Sequence, residues 1–133
     1  ERSPRDTPIL IAEDSPLLNK LIVNSLKQAG YTNLIHTENG RQAYDVIQQC
    51  KADGTLKDHV RCIITDIEMP EMDGHRLTKL VKEDEATKDI PIVIFSSLVN
   101  EEMKRKGRAL GADAQLSKPE IGNLVHIVDE LIQ

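Results

Sequence analysis

The chain has 133 residues, the size of one domain, enough to bury an apolar core without disulfides or a structural metal. Its 22 acidic and 17 basic side chains give a net charge of -5, which argues against a nucleic-acid module, because neutralising phosphates needs a basic surface. No apolar run approaches the roughly 20 residues that span a bilayer and no stretch reads as a signal peptide, so a single cytoplasmic globular unit is expected.

From the start of the chain, Glu1 to Pro8 are polar and proline-rich, in the manner of an interdomain linker. Five short apolar runs then alternate with five segments of helical period, which predicts an α/β fold built as βαβ units. The runs are Ile9–Ala12, Asn33–Thr37, Val60–Thr65, Ile92–Phe95 and Ala112–Leu116. The third and fourth are almost continuously apolar, as parallel strands covered on both faces must be, and are expected in the middle of the sheet. The first helix is punctuated by Ser15 at its cap, Pro16 in its first turn and Gly30 beyond its end, with Leu18, Leu21, Ile22 and Leu26 as its apolar stripe. The second carries Ala43, Val46, Ile47 and Cys50 at helical spacing. The third follows Asp73-Gly74 and presents Leu77, Leu80 and Val81, the fourth runs from a cap at Asn100 to Gly111, and the fifth shows Ile121, Leu124, Val125 and Val128. Cys50 and Cys62 fall in a helix and a strand pattern and read as reduced core thiols. His36, His59, His75 and His126 lack the spacing of a zinc site or of a base beside a nucleophile.

A doubly wound parallel sheet places its ligand outside the carboxyl ends of its strands. The first predicted strand ends in Glu13-Asp14, the third in Asp66, the fourth in Ser96-Ser97, and the fifth leads to Ser117-Lys118-Pro119, so the chemistry-bearing residues share one edge. Two carboxylates ~5 Å apart repel by about 3 kcal/mol at an effective dielectric near 20, so such a cluster calls for a cation. Oxygen ligands with room for water favour Mg²⁺. A carboxylate beside Mg²⁺ can attack a phosphoryl donor to give an acyl phosphate. Lys118 would add a second positive charge, Ser96 would donate a hydroxyl hydrogen bond to a phosphoryl oxygen, and the small Ser97 would leave the approach to Asp66 open.

The pattern Glu13-Asp14, then Asp66 within Asp66–Gly74, then Ser96, then Lys118-Pro119 resembles the CheY-like response-regulator receiver family over about residues 8 to 132. The resemblance implies a flavodoxin-like (βα)5 fold, a doubly wound five-stranded parallel sheet of strand order 2-1-3-4-5, with a receiver domain over 8–133 after a linker-like segment at 1–7. It implies that Asp66 is the phosphoacceptor, that Asp14 and Asp66 bind Mg²⁺ by side chain and Glu68 by its backbone carbonyl, and that Glu13 acts through metal-bound water. Ser96 and Lys118 would sense the phosphoryl group, and the donor would be a histidine kinase. The segments Phe95–Met103 and Gly111–Ile121 are similar to the receiver half of CheV-type chemotaxis coupling proteins. That similarity implies a CheA-like kinase, an attached CheW-like coupling domain and chemoreceptors as partners.

Two positions depart from the common receiver pattern. Ser96 stands where Thr is commoner, and Gln115 stands where Tyr or Phe is frequent. An inward amide would need both of its ends hydrogen-bonded, so Gln115 is expected at the surface. The expected role is a regulated interaction module, a switch or phosphate sink with self-catalysed phosphoryl transfer and slow self-dephosphorylation, rather than a turnover enzyme. A Mg-dependent aspartyl-phosphate phosphohydrolase is the alternative, but it usually has a second aspartate two residues after the first, where this chain has Glu68. A flavin-binding flavodoxin is a third reading, disfavoured by so few aromatics and by the lack of a Ser/Thr/Gly-rich loop after the first strand.

Overall fold

The structure is a computed structural model and describes residues 7–96, 100–117 and 121–132. Five strands, β1 Ile9–Ala12, β2 Leu34–Thr37, β3 Cys62–Thr65, β4 Ile92–Ser96 and β5 Ala114–Ser117, form one parallel sheet in the order β2-β1-β3-β4-β5. The described helices are α1 Pro16–Gln28, α2 Gly40–Asp53, α3 Leu56–His59, α4 Gly74–Glu83, α5 Glu101–Leu110 and α6 Ile121–Ile132. This is the flavodoxin-like doubly wound fold.

Alternate residues of each strand point to opposite faces, and both faces are covered. On one side Ile9, Ile11, Ile64, Val93 and Phe95 pack with Ile22 and Leu26 of α1 and Leu124 and Val128 of α6. On the other, Leu10, Ala12, Ile63, Ile92 and Ile94 pack with Ala43 and Ile47 of α2 and Leu77 and Val81 of α4. Every residue of β1 and β3 is buried, which explains why their sequences read as unbroken apolar runs. Cys62 lies within this core, where burial, reinforced by Asp113, pushes its thiol up to about 12. Cys62 is therefore an inert packing residue. No described helix is long and apolar enough to cross a membrane.

Four helices begin just beyond a strand or its following loop, and each is capped by a short polar side chain, at Ser15 and Asn100 as expected and at Asn39 and Asp73 besides. Ser15 Oγ accepts from Leu18 N at 3.3 Å, Asn39 Oδ1 from Gln42 N at 2.8 Å, Asp73 Oδ1 from Arg76 N at 2.7 Å and Asn100 Oδ1 from Met103 N at 2.8 Å. Gly54 and Gly111 close α2 and α5 in the left-handed conformation, at φ of 72° and 99°.

One extra helical turn and several strand boundaries differ from expectation, β2 starting at Leu34, β4 ending at Ser96 and β5 ending at Ser117, each one residue from the expected position. The single turn α3 is too short to show a helical period. β3 starts at Cys62 rather than Val60, whose N–H instead closes α3 on Leu56 O at 2.8 Å. β5 starts at Ala114 rather than Ala112, because Asp113 is an anchor and not a strand residue. Its Oδ2 accepts from Ile92 N at 2.8 Å and from Lys82 Nζ at 2.9 Å. Lys82 also donates to Lys88 O and Ile90 O, at 3.1 and 2.8 Å, fastening the end of α4 to the loop before β4.

His75 sits in the first turn of α4, 4 % exposed, and its Nε2 has no hydrogen-bond partner among the described residues. Burial and the nearby Lys106 hold its pKa below the usual imidazole value, against a smaller opposing pull from Asp73. A lowered folded-state pKa means that the unfolded chain takes up this proton first as pH falls. The stability associated with neutral His75 is complete above about pH 6.5 and is lost as pH falls through that value toward the depressed one. Denaturant midpoints measured between pH 7.5 and 5.5 should fall more steeply for the wild type than for His75→Gln. Parallel slopes would show that His75 is not the titrating group.

Candidate functional site

The site is a consequence of strand register. Ala12 of β1 lies opposite both Thr37 of β2 and Thr65 of β3, so the residues that follow, Glu13 and Asp66, leave the sheet at the same level. Two backbone bonds extend the ladder beyond the strands, Glu13 N to Thr37 O and Asp66 N to Ala12 O, each 3.0 Å. Glu13 is 1 % exposed and Asp66 6 % exposed, while Asp14 is open to solvent. One carboxylate oxygen from each of the three can be found within 4.8 Å of the others.

Local hydrogen bonds aim these carboxylates. Asp66 Oδ1 accepts from the N–H of Ile67 at 2.7 Å, and Glu13 Oε2 accepts from Ser15 N at 3.0 Å, tying the acidic pair to the start of α1. Thr65 Oγ1 donates to Asp66 O at 2.8 Å, and His36 Nε2 lies 3.1 Å from Glu13 O. Thr65 and His36 support the acidic residues through their backbones. Their contribution was not legible in the sequence, because it depends on which strand stands beside which.

The loop after Asp66 brings in Glu68, whose side chain is exposed. The loop closes where Gly74 N donates to Ile67 O at 2.8 Å. A Cβ on Gly74 would overlap the carbonyl oxygen of Asp66 and approach its carbonyl carbon to 2.9 Å, so the Asp73-Gly74 step is a steric requirement of the site. Ser96 ends β4, 1 % exposed, opposite Ser117 of β5. Ser97, Lys118 and Pro119 lie outside the described residues. The structure thus brings Glu13, Asp14 and Asp66 together and sets Ser96 at the same edge of the sheet. An all-oxygen donor set with two buried carboxylates suits a hard divalent cation, so this acidic pocket could bind a metal ion.

Gln115 does not occupy the expected position. Its side chain turns inward over α5, where Nε2 donates to Lys104 O at 2.8 Å. Its Oε1 is buried with no hydrogen-bond partner among the described residues. The physical reason is Gly107, which presents bare backbone to the amide, and a Cβ there would stand 2.7 Å from Gln115 Cδ.

The pattern of the response regulator receiver domain matches residues 9–129. The chain is 34% identical over 114 residues, 86% of its length, to a gliding motility regulatory protein from Myxococcus xanthus, of which it spans 14%. It is 30% identical over 89 residues, 67% of its length, to a chemotaxis protein CheY homolog from Campylobacter jejuni, of which it spans 63%. Both figures fall short of two thirds of the relative's own length. Among solved structures, the signal receiver domain of a signal transduction histidine kinase from Syntrophus aciditrophicus superposes with a TM-score of 0.81 at 29% identity, covering 95% of this chain and 89% of that one. With the fold, the acidic pocket and the sequence match in agreement, the chain belongs to the response regulator receiver domain family, whose members take phosphoryl groups from histidine kinases.

Proposed function

We propose that this chain is the phosphoacceptor module of a chemotaxis pathway, similar to the receiver half of CheV-type coupling proteins. In this reading Asp66 is the acceptor and the donor is a CheA-like histidine kinase. The observation that carries it is the convergence of Glu13, Asp14 and Asp66 within 4.8 Å at the carboxyl edge of the sheet, with buried Ser96 at the end of the next strand. The similarity of Phe95–Met103 and Gly111–Ile121 to CheV-type receivers, and the CheY homolog among the relatives, support the chemotaxis assignment. The polar, linker-like residues 1–7 are proposed as a linker to a CheW-like coupling domain that engages chemoreceptors in the cytoplasm.

Asp66 acts as the nucleophile. One of its carboxylate oxygens bonds to phosphorus as the nitrogen–phosphorus bond of the donor's phosphohistidine breaks, and the imidazole departs with the electron pair. The hydrogen bond from Ile67 N to Oδ1 restricts rotation of the carboxylate and so favours one approach. Asp14, Asp66 and the Glu68 carbonyl are the proposed ligands of Mg²⁺, with Glu13 acting through a metal-bound water. A divalent cation held by these residues would offset negative charge on the transferring phosphoryl group. The Ser96 hydroxyl donates to one phosphoryl oxygen and Lys118 pairs with another, so that the new charge is read out at β4 and beyond β5.

Asp66→Asn keeps the shape of the side chain and removes its nucleophilicity. Intact mass after incubation with Mg²⁺ and acetyl phosphate should show a phosphoryl adduct on the wild type and none on this variant, and an equal adduct would move the acceptor elsewhere. Saturating Mg²⁺ should raise the melting temperature, since an ion at a hundred times its Kd contributes about 2.7 kcal/mol to the folded state. Asp14→Asn should lose most of that gain. A wild-type melting curve indifferent to Mg²⁺ would rule out the metal site. Lys118→Ala should still be phosphorylated, but without the phosphorylation-dependent gain in affinity for its partner, a loss of about ten-fold or 1.4 kcal/mol. Normal partner affinity in the phosphorylated variant would exclude that role for Lys118.

A further inference from the structure

The N-terminus of α2 contacts the loop beyond Asp66 through a glycine that helix formation does not explain. Gly40 opens α2 with ordinary negative φ, so it is not there to adopt a left-handed conformation. Glycine is a poor helix former, less favourable than alanine because it loses more backbone freedom. Its use is steric and polar. Gly40 N, one of the donors that a helix start leaves without an intrahelical partner, donates to Met72 O at 3.0 Å. A Cβ at this position would overlap that oxygen and stand 3.0 Å from the Met72 carbonyl carbon and 3.1 Å from its Cγ. The obstruction is backbone, so no change of side-chain rotamer relieves it.

Met72 is one end of a tight, strained turn. Glu71 has a φ of 69°, in the region that favours glycine, and Met72 N donates to Pro70 O at 2.7 Å. Such a conformation is unfavourable for a residue with a side chain and persists only where its surroundings over-determine it. Here the surroundings are two anchors. Gly74 N holds Ile67 O at the base of the loop, and Gly40 N holds Met72 O at its far side. Glu68 lies between these anchors, and the direction of its carbonyl follows from the path of the loop.

We propose that Gly40 is a positioning residue for divalent-cation binding: by fixing Met72 it holds the loop so that the Glu68 carbonyl is presented beside the carboxylates of Asp14 and Asp66. This rests on the cation-binding reading of the acidic cluster. Gly40 touches neither the ion nor a carboxylate, and its effect passes through one backbone hydrogen bond and one absent methyl group.

The test is a Mg²⁺ titration of the whole chain followed by amide chemical shifts. Gly40→Ala should weaken Mg²⁺ binding by about ten-fold or more relative to the wild type. Gly122→Ala, at a helical position where a Cβ meets nothing within 4 Å, should leave the Kd unchanged. A role confined to stability would lower the melting temperature and leave the Kd of the folded molecules unaltered, and that result would overturn the proposal. If Gly40→Ala does not fold, the wild type still decides. Coupling between sites is reciprocal, so saturating Mg²⁺ should slow hydrogen exchange at the Gly40 amide by a similar factor. Unchanged exchange under Mg²⁺ would overturn the proposal. A wild type whose spectrum ignores Mg²⁺ altogether would instead overturn the cation reading of Glu13, Asp14 and Asp66, a failure distinct from a Gly40→Ala variant that binds as tightly as the wild type.

Discussion

Three carboxylates held within 4.8 Å of one another, two of them buried, set the terms for the rest of this molecule. At an effective dielectric near 20 each such pair repels by about 3 kcal/mol, so the cluster would spread apart if its backbone allowed it. The backbone does not allow it, because Glu13 and Asp66 extend adjacent strands whose register is fixed by apolar layers on both faces. A slip of one residue in β1 or β3 would exchange the inward sets of the two layers and separate the two acids. The core therefore does more than stabilise the domain: it holds charge where solution chemistry would disperse it. That makes the edge a ready receptor for positive charge.

Close backbone contacts complete the arrangement, and glycines make them possible. Gly74 lets α4 start against the Asp66 carbonyl, Gly40 lets α2 start against the Met72 carbonyl, and Gly107 lets the Gln115 amide lie on α5. At two of these the neighbour is backbone, which cannot yield, and at the third it is a flexible side chain, which can. Substitution at Gly74 or Gly40 must displace the loop beside the acidic cluster, whereas substitution at Gly107 need only expel an amide.

Much of this was readable in the sequence because it rests on local periodicity. The apolar runs located all five strands to within two residues, most plainly β1, β3 and β4, where burial on both faces leaves an unbroken run. Ser15 and Asn100 were readable as caps and Asp73-Gly74 as a helix start, because short polar side chains satisfy first-turn donors, whereas the cap at Asn39 emerged only in the structure. The acidic pair and Asp66 fall at strand ends, so strand order alone brings them together. What was not legible depends on contacts between distant segments. Asp113 looked like part of a strand, yet its carboxylate is consumed by Ile92 N and Lys82. The turn at Leu56–His59 is a single helical turn with no period to detect. The contact at Gly40 has no signature in the sequence, because its partner Met72 is far away along the chain.

Gln115 shows how such a hidden contact changes a functional argument. An amide facing inward was expected to be too costly unless both ends were bonded, yet one end is satisfied by Lys104 O and the other is buried without a partner among the described residues. The hollow over Gly107 explains how this is tolerated: the side chain fills space that would otherwise be a void at the junction of β5 and α5. An unsatisfied buried oxygen costs about 1 to 3 kcal/mol, so the inward position is held by packing and a single hydrogen bond, against that penalty. A complete reversal of a two-state equilibrium, from 1:99 to 99:1, takes about 5.5 kcal/mol. The penalty at Gln115 is smaller than that. It can lower the barrier to moving α5 away from β5, but it cannot drive the movement alone. In the proposed switch, the remainder must come from the new charge acting on Ser96 and Lys118. The side chain at position 115 would then set how much of that energy is needed before the surface around α5 changes.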